Sequence, residues 1–238
     1  MSVFRFKQFS VFHSQSTMKV GTDAVLLGTS APIPADCRQI LDIGCGCGIV
    51  ALMLAQRSNV PVVGIDIDKL SVEEATKNAQ NSPWKEKLTF QHASIQDFCV
   101  SQNKQSFDLI VSNPPFFEDS LKSPFEKRNL SRHTDTLSLE ELLFSADFCL
   151  SDRGCFAVIL PIDKLKKMMI LCLKYNLFCT TVLEIQPIFS KPANRIILIF
   201  SRQKTTTETK TLILRNANNE YTNEYRQLTK DFLINAKL

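Results

Sequence analysis

The segment Leu41-Asp42-Ile43-Gly44-Cys45-Gly46-Cys47-Gly48 joins a short apolar run to a segment of helical period. Its alternate glycines remove Cβ atoms where a ligand must approach the backbone, and they permit positive φ in a tight turn. A dinucleotide-binding turn would read GxGxxG, but Ile49 stands where its third glycine would fall. An acid ahead of three glycines suits a ligand with a positive amino group. The pattern favours a nucleoside cofactor without phosphate, and a structural turn or a variant NAD site is the alternative.

On either side of this turn, short apolar runs alternate with longer segments of helical period. Strands are predicted at 39–43, 62–66, 88–92, 107–112 and 155–160, and helices at 49–56, 70–81, 139–150 and 164–175. This alternation is typical of a parallel sheet covered by helices on both faces. Two β-rich stretches, 177–185 and 196–202, have no helix between them and predict an antiparallel pair. We therefore predict an α/β, Rossmann-like fold with a seven-stranded, mostly parallel sheet whose last two strands are antiparallel.

The composition is that of an ordinary globular domain. The chain has 238 residues, of which 44% are hydrophobic and 22% charged, which excludes disorder or a coiled coil as a description of the whole chain. No apolar run approaches the roughly 20 residues of a membrane span, and the N-terminus lacks a secretory pattern, so a cytoplasmic location is predicted. We predict one domain, with an N-terminal segment at 1–38, a core at 39–203 and a basic extension at 204–238. A last strand at 212–214 and a helix from about Tyr221 are expected in that extension.

Two acids lie at and just after the end of the second predicted strand. Asp66 ends the strand, where a carboxylate can accept hydrogen bonds from both ribose hydroxyls of an adenosine. A second helix cap or a solvated turn acid is the alternative for Asp66. Asp68 precedes the next helix and is predicted to be its N-cap.

The fourth predicted strand runs into Asn113-Pro114-Pro115-Phe116. The prolines restrict the backbone, so that the Asn113 side chain and the Pro114 carbonyl are expected to face the same space. Both are acceptors, and together they can hold an exocyclic NH₂ group and localise its lone pair on nitrogen. Phe116 offers a stacking face for the base. Alone, the motif would indicate only a strand that ends at proline, but the glycine turn upstream favours catalysis.

With these motifs the chain resembles class I S-adenosylmethionine-dependent methyltransferases that act on amino groups, over roughly residues 15 to 200. More narrowly, residues 9–28, residues 113–143 and the strand end at Pro161 are similar to the bacterial tRNA (adenine-N6)-methyltransferases that modify the base 3′ to the anticodon of valine tRNA. The resemblance implies the class I methyltransferase fold and a target adenine at 113–116. It also implies S-adenosyl-L-methionine, converted to S-adenosyl-L-homocysteine, bound near Asp42, Gly44, Gly46 and Asp66, with Asn113 beside it.

The resemblance also implies further cofactor contacts. The stretch that covers the methionine end corresponds to Lys19, Gly21, Thr22 and Asp23, although Thr22 or Asp23 capping the following helix is an equal alternative. Related enzymes commonly bind the adenine amino group with an acid just after the third strand. Ser94 stands there, and Asp97 is the alternative partner.

The RNA partner is expected to meet basic residues. Residues 1–20 hold three bases and no acid, and residues 191–238 hold nine bases and four acids. Candidate phosphate contacts lie in the polar segment 117–135 and in the connection between the last two core strands: Lys122, Lys127, Arg128, Arg132, Lys191 and Arg195. Ordinary solvated charge is the alternative. No metal site is predicted, because the three histidines lack ligand spacing, and neither a membrane nor an obligate protein partner is indicated.

Three rival functions stay open on the sequence. Related motifs occur in enzymes that methylate ribosomal RNA guanine, DNA adenine or a release-factor glutamine. The chain could also be a catalytically silent nucleotide-binding or RNA-binding module. An NAD oxidoreductase is disfavoured by Ile49.

Overall fold

The computed structural model describes residues 3–16, 19–101, 104–115 and 137–234. Within these ranges the strands are β1 (Val3–Arg5), β2 (Ser10–Phe12), β3 (Ile40–Ile43), β4 (Val62–Asp66), β5 (Leu88–His92), β6 (Phe107–Ser112), β7 (Leu150–Pro161), β8 (Phe178–Gln186), β9 (Arg195–Ser201) and β10 (Glu208–Ile213). The α-helices in the same ranges are α1 (Thr22–Ser30), α2 (Ile49–Arg57), α3 (Lys69–Gln80), α4 (Ile95–Ser101), α5 (Leu139–Cys149), α6 (Leu165–Leu171) and α7 (Asn223–Thr229).

Eight of these strands form one sheet in the order β10-β8-β9-β7-β6-β3-β4-β5. Strand β9 is antiparallel to both of its neighbours, and the other adjacent pairs are parallel. The chain winds from β3 outward to β5 and then returns to β6 on the other side of β3. Ligands of such sheets bind at this reversal, outside the carboxyl ends of the strands.

Both faces of the sheet are covered by apolar residues. On one face α1, α2 and the β1–β2 hairpin pack into a core that includes Val25, Leu52 and Val11. On the other face α4, α5 and α6 contribute residues such as Phe98 and Leu143. Burial of this kind, on both sides of a parallel sheet, explains why the central strands are near-continuous apolar runs. No helix in the described part of the chain is long and apolar enough to cross a membrane.

The predicted fold class is confirmed, and the sheet has one more strand than the seven expected. The stretch predicted as a polar linker and a short strand at 212–214 forms β10, which pairs in parallel with β8 at the edge. Because β10 is an exposed edge strand, most of its side chains are polar. Its Thr and Lys residues therefore give only a weak strand pattern in the sequence. Strand β7 starts at Leu150 rather than 155. Leu150 pairs with Phe107 of β6 on the far side of an irregularity in the register, after which Cys155 pairs with Leu109.

Other differences concern short elements. The predicted helix 164–175 is shorter, since α6 gives way to a 3₁₀ turn at Cys172–Tyr175 that ends on Asn176 with φ of 49°. Helix α4 and the β1–β2 hairpin were not predicted. Each is only a few residues long and gives little periodic signal. The C-terminal helix begins at Asn223, two residues after the expected position, with Thr222 as its N-cap.

Candidate active site

The register of the two central strands brings the glycine turn and the Asn-Pro-Pro motif side by side. Ile43 and Ser112, the last residues of β3 and β6, are paired, and Ser112 Oγ donates a hydrogen bond to the Ile43 carbonyl at 2.9 Å. Gly44 and Asn113 therefore leave the sheet from neighbouring strands, which lie about 4.8 Å apart. Two motifs almost 70 residues apart in sequence share one edge.

The first glycine of the turn, Gly44, borders open space. Gly44 has φ of 71°, and a Cβ atom placed there would meet nothing within 4 Å. Gly48, with φ of 80°, is the N-cap of α2, and its added Cβ would lie 2.8 Å from the Phe90 ring. Gly48 is thus required for packing, whereas Gly44 borders open space that a ligand can occupy.

Asp42 lies beneath this turn. It is 1% exposed, and its Oδ2 accepts the Ala51 backbone N–H at 3.1 Å, which ties β3 to the first turn of α2. Burial raises the pKa of Asp42 to about 7, and the Ala51 hydrogen bond opposes the shift. The structure places this predicted cofactor residue below the backbone of the turn rather than at its surface.

Asp66 lies beside the turn at the end of β4. One carboxylate oxygen accepts the Gly46 N–H at 2.8 Å, and the other accepts the Asp68 N–H at 2.9 Å. Burial raises the pKa of Asp66, and these backbone bonds act in the opposite direction. Each oxygen keeps acceptor capacity for a further donor such as a hydroxyl. The predicted cap role of Asp68 is confirmed, since its side chain accepts the backbone N–H groups of Leu70 and Ser71.

Ser94 and Asp97 are brought together at the start of α4. Ser94 Oγ donates to Asp97 Oδ2 at 2.7 Å and accepts the Asp97 N–H at 3.0 Å, so that its hydroxyl caps this helix. The preceding Ala93 N–H donates to the Asp66 carbonyl at 3.1 Å. The two candidates for the adenine contact therefore lie next to the candidate for the ribose contact, in the adjacent strand-to-helix connection.

Asn113 carries the most unusual polar atom of the site. Its Oδ1 is buried and has no hydrogen-bond partner within the described ranges. Pro114 is buried and Pro115 is exposed. A buried acceptor without a partner is costly, and such atoms mark places where a donor from a ligand is expected. Phe116 and the candidates Lys122, Lys127, Arg128 and Arg132 lie outside the described residues.

The edge therefore combines a glycine turn, the Asp66 carboxylate and an amide acceptor without a partner among the described residues. Residues 4–158 match the methyltransferase small domain family. The chain belongs to this family.

Curated relatives match over nearly the whole chain. A tRNA1(Val) (adenine(37)-N6)-methyltransferase from Flavobacterium psychrophilum is 40% identical, over 98% of this chain and 99% of the relative. A protein of the same name from Phocaeicola vulgatus is also 40% identical, over 98% and 97%. The predicted membership among these methyltransferases is confirmed.

Solved structures confirm the methyltransferase fold. A predicted O-methyltransferase from Agrobacterium tumefaciens superposes with a TM-score of 0.67 at 17% identity, over 88% of this chain and 96% of the other. The methyltransferase subunit of a type I restriction-modification system from Streptococcus thermophilus gives a TM-score of 0.59 at 15% identity, covering 83% of this chain and 48% of the other.

In this methyltransferase the N-terminal segment is held on the site by one face of α3. Glu74, which is 3% exposed, accepts the backbone N–H groups of Ser14 at 2.8 Å, Gln15 at 3.1 Å and Ser16 at 2.9 Å. One turn further along α3, Asn78 bonds both the N–H and the carbonyl of Phe12. The segment 12–16 is thus fixed through its backbone.

This α3 contact was not predicted from the sequence. Glu74 and Asn78 are four residues apart and share a helix face, but a polar face is normally solvated. Their partners lie about 60 residues earlier in the chain, so only the tertiary structure reveals the pairing.

The predicted methionine-end residues lie at the start of α1. Gly21 is the N-cap of α1, so the alternative role of Thr22 or Asp23 as the N-cap is wrong. Lys19 is exposed. Asp23 instead accepts a hydrogen bond from Arg195 Nε at 2.9 Å.

The two described RNA candidates differ in their surroundings. Arg195, the first residue of β9, is engaged by Asp23 and also donates from Nη1 to the Asn194 carbonyl at 3.1 Å. Lys191 is exposed on the β8–β9 connection. In the described part of the chain, no cluster of three or more His, Cys, Asp or Glu residues could hold a metal ion.

Proposed function

We propose that this chain transfers a methyl group from S-adenosyl-L-methionine to the exocyclic N6 amino group of an adenine in tRNA, at position 37 of valine tRNA. The observation that carries the proposal is the buried, unpartnered Oδ1 of Asn113 at the strand end beside the open space over Gly44. Curated relatives with the name tRNA1(Val) (adenine(37)-N6)-methyltransferase, 40% identical over nearly the full length, support the choice of substrate. A cytoplasmic location stays a prediction from the sequence.

The residues at this edge fit the cofactor. Backbone without Cβ at Gly44 gives room for close approach, and the Asp66 carboxylate has acceptor capacity for the ribose hydroxyls. Ser94 and Asp97 are the candidates for the adenine end, and the start of α1, with Lys19, Gly21 and Thr22, is the candidate for the methionine end. When bound, S-adenosyl-L-methionine supplies a methyl group on a sulfonium, which is a strong electrophile.

Asn113 and Pro114 act on the amino group of the target base. The Asn113 Oδ1 accepts one N–H, and the Pro114 carbonyl accepts the other, which opposes delocalisation of the nitrogen lone pair into the ring. Because Asn113 precedes a proline, its backbone is restricted to extended conformations, which limits where its side chain can lie. The main gain in rate then comes from proximity and orientation.

No strong base is required at this site. Once nitrogen carries the methyl group it is a cation and acidic, and it can release its proton to water. The described residues near Asn113 accordingly need to provide acceptors rather than a group that titrates near neutral pH. Phe116, by its sequence position, is the candidate to stack on the base.

The test is a comparison of Asn113→Ala with the wild type. We expect kcat for tRNA methylation to fall at least about 100-fold, as for other lost transition-state hydrogen bonds, while the Kd for S-adenosyl-L-homocysteine changes far less. Asn81→Ala is the matched control, because Asn81 is exposed at the end of α3. Wild-type turnover in Asn113→Ala would exclude the amino-group contact.

A further inference from the structure

The connection between β8 and β9, residues 187–194, presents an exposed aromatic ring. Phe189 is 67% exposed, more than Phe144 at 55%. An exposed phenylalanine contributes nothing to the core, and the two core clusters do not include it. Its position on a connection between strands, where binding residues are often found, leaves the ring available to contact another molecule.

This ring lies on the same edge of the sheet as the candidate active site. Strand β8 runs in the same direction as β6, since β9 is antiparallel to β7 and to β8. The carboxyl end of β8, where the connection begins, is therefore on the side of Asn113. Three strand spacings separate β8 from β6 in the sheet, which is roughly 14 Å.

The backbone under Phe189 is anchored to the C-terminal extension. The Phe189 N–H donates to the Arg215 carbonyl at 2.9 Å. The Arg215 guanidinium lies 4.0 Å from the centroid of the Tyr221 ring and donates to the Asn219 carbonyl at 2.8 Å. Tyr221 in turn stacks on the buried Tyr225 with centroids 4.7 Å apart. An exposed ring on a fixed backbone is a suitable stacking surface, because little order must be gained on binding.

The charge around the ring is complementary to phosphate. The connection at 187–194 contains Lys191 and no acid, and Lys191 is exposed two residues from Phe189. Arg195, the next base, is paired with Asp23 and is not counted here. An aromatic face combined with a neighbouring cation is the usual means of binding an unpaired nucleotide.

We propose that Phe189 stacks on an unpaired base of the RNA substrate that flanks the target adenine, with the adjoining phosphate at Lys191. The inference rests on the proposed function and adds a second point of RNA contact to it. It defines a single-stranded loop, rather than a helix, as the element that the enzyme binds beside its target, since a paired base has no free face for the ring.

The test measures RNA affinity separately from chemistry. Phe189→Ala should weaken binding of an anticodon stem-loop RNA by roughly 5- to 100-fold in fluorescence anisotropy, the range for loss of one base–aromatic stack. It should raise KM for tRNA and leave kcat and the KM for S-adenosyl-L-methionine unchanged. Phe189→Trp should retain the affinity, because it keeps the stacking face.

Phe144→Ala is the matched control, since Phe144 is 55% exposed on α5 and outside the connection. Unchanged RNA affinity in Phe189→Ala would overturn the inference, as would a loss that Phe189→Trp shares. A change of oligomeric state with intact RNA affinity would assign the ring to a second copy of the chain and also overturn it. If the wild type binds the stem-loop, loses that affinity on Phe189→Ala and yet does not methylate the RNA, only the proposed function is overturned.

Discussion

The Glu74 carboxylate accepts the backbone N–H of Ser16 at 2.9 Å, across 58 residues of sequence. The side chain of Ser16 lies against the glycine turn, because a Cβ atom added to Gly46 would be 3.5 Å from Ser16 Oγ. Ser71, on the same face of α3, donates to Ser16 Oγ at 3.1 Å. The helix that follows Asp66 thus fixes the N-terminal segment directly beside the space in which we propose that the cofactor binds.

Glu74→Gln should weaken cofactor binding more than it slows chemistry. One of the two carboxylate oxygens becomes an NH₂ group, which cannot accept the backbone N–H groups of residues 14–16. We expect the Kd for S-adenosyl-L-homocysteine to rise roughly 10- to 150-fold in calorimetry, the range for a lost hydrogen bond to a charged group, and kcat at saturating cofactor to change less.

Glu73→Gln is the matched control for this substitution, since its side chain is 47% exposed on the same helix. Equal effects of the two variants on the Kd would refute the positioning role of Glu74, and so would an effect of Glu74→Gln on the melting temperature alone.

Asp23 and Arg195 should act as one unit. Their side chains are 25% and 34% exposed, and the pair joins the first turn of α1 to the start of β9. Single alanine variants at either position should raise the KM for cofactor. The double variant should have a KM only slightly higher than that of either single variant. A double-mutant cycle on this KM should give a coupling of about 1 kcal/mol, because the pair is partly shielded from solvent.

The same cycle decides how Arg195 contributes to RNA binding. If Arg195 contacts phosphate independently of Asp23, its removal will lower the salt dependence of tRNA binding while Asp23→Ala leaves it unchanged. That result, together with an additive cycle on the cofactor KM, would contradict the assignment of Arg195 to the α1 contact.

Asp42→Asn should increase stability in a way that depends on pH. Burial raises the pKa of Asp42 to about 7 in the folded protein, against an ordinary value near 3.8. At pH values between these two pKa values, the Asp42 carboxyl group is deprotonated in the unfolded chain and protonated in the folded chain. The wild type therefore loses stability as pH rises from about 4 to 7. The Asn variant keeps an acceptor for the Ala51 N–H and has no such loss.

The difference in free energy of unfolding, variant minus wild type, should therefore grow across this range and reach roughly 1 to 4 kcal/mol at pH 8 in urea titrations. Asp36→Asn, at an exposed acid, is the matched control. A difference that is flat or shrinks as pH rises would contradict the burial of the Asp42 carboxyl group.

The central sheet could be predicted from the sequence because buried parallel strands are short apolar runs with clear boundaries. Strands β4 and β6 have the predicted bounds for this reason, and the N-cap at Asp68 follows from one residue type at one position. The adjacency of Gly44 and Asn113 follows from the topology, since both end central strands at the reversal point.

Contacts that depend on long-range packing could not be predicted. Glu74 is one of two successive glutamates on a helix, and only the packing of residues 14–16 shows which of them is buried. Helix α4 did carry a local signal, since Ser94 and Asp97 have the Ser-x-x-Asp spacing of a helix start. The same two residue types also fit an adenine contact, so their spacing alone does not predict the helix.

The proposed methylation of a tRNA adenine is tested most directly by methyl transfer from labelled S-adenosyl-L-methionine to RNA. The substrates are total tRNA and ribosomal RNA from a strain that lacks this gene, and the products are identified by nucleoside analysis. We expect labelled N6-methyladenosine confined to the tRNA fraction and, after isolation of the species, to valine tRNA. Labelled methylguanosine in ribosomal RNA, or no labelled nucleoside in either fraction despite cofactor binding, would contradict the proposed function.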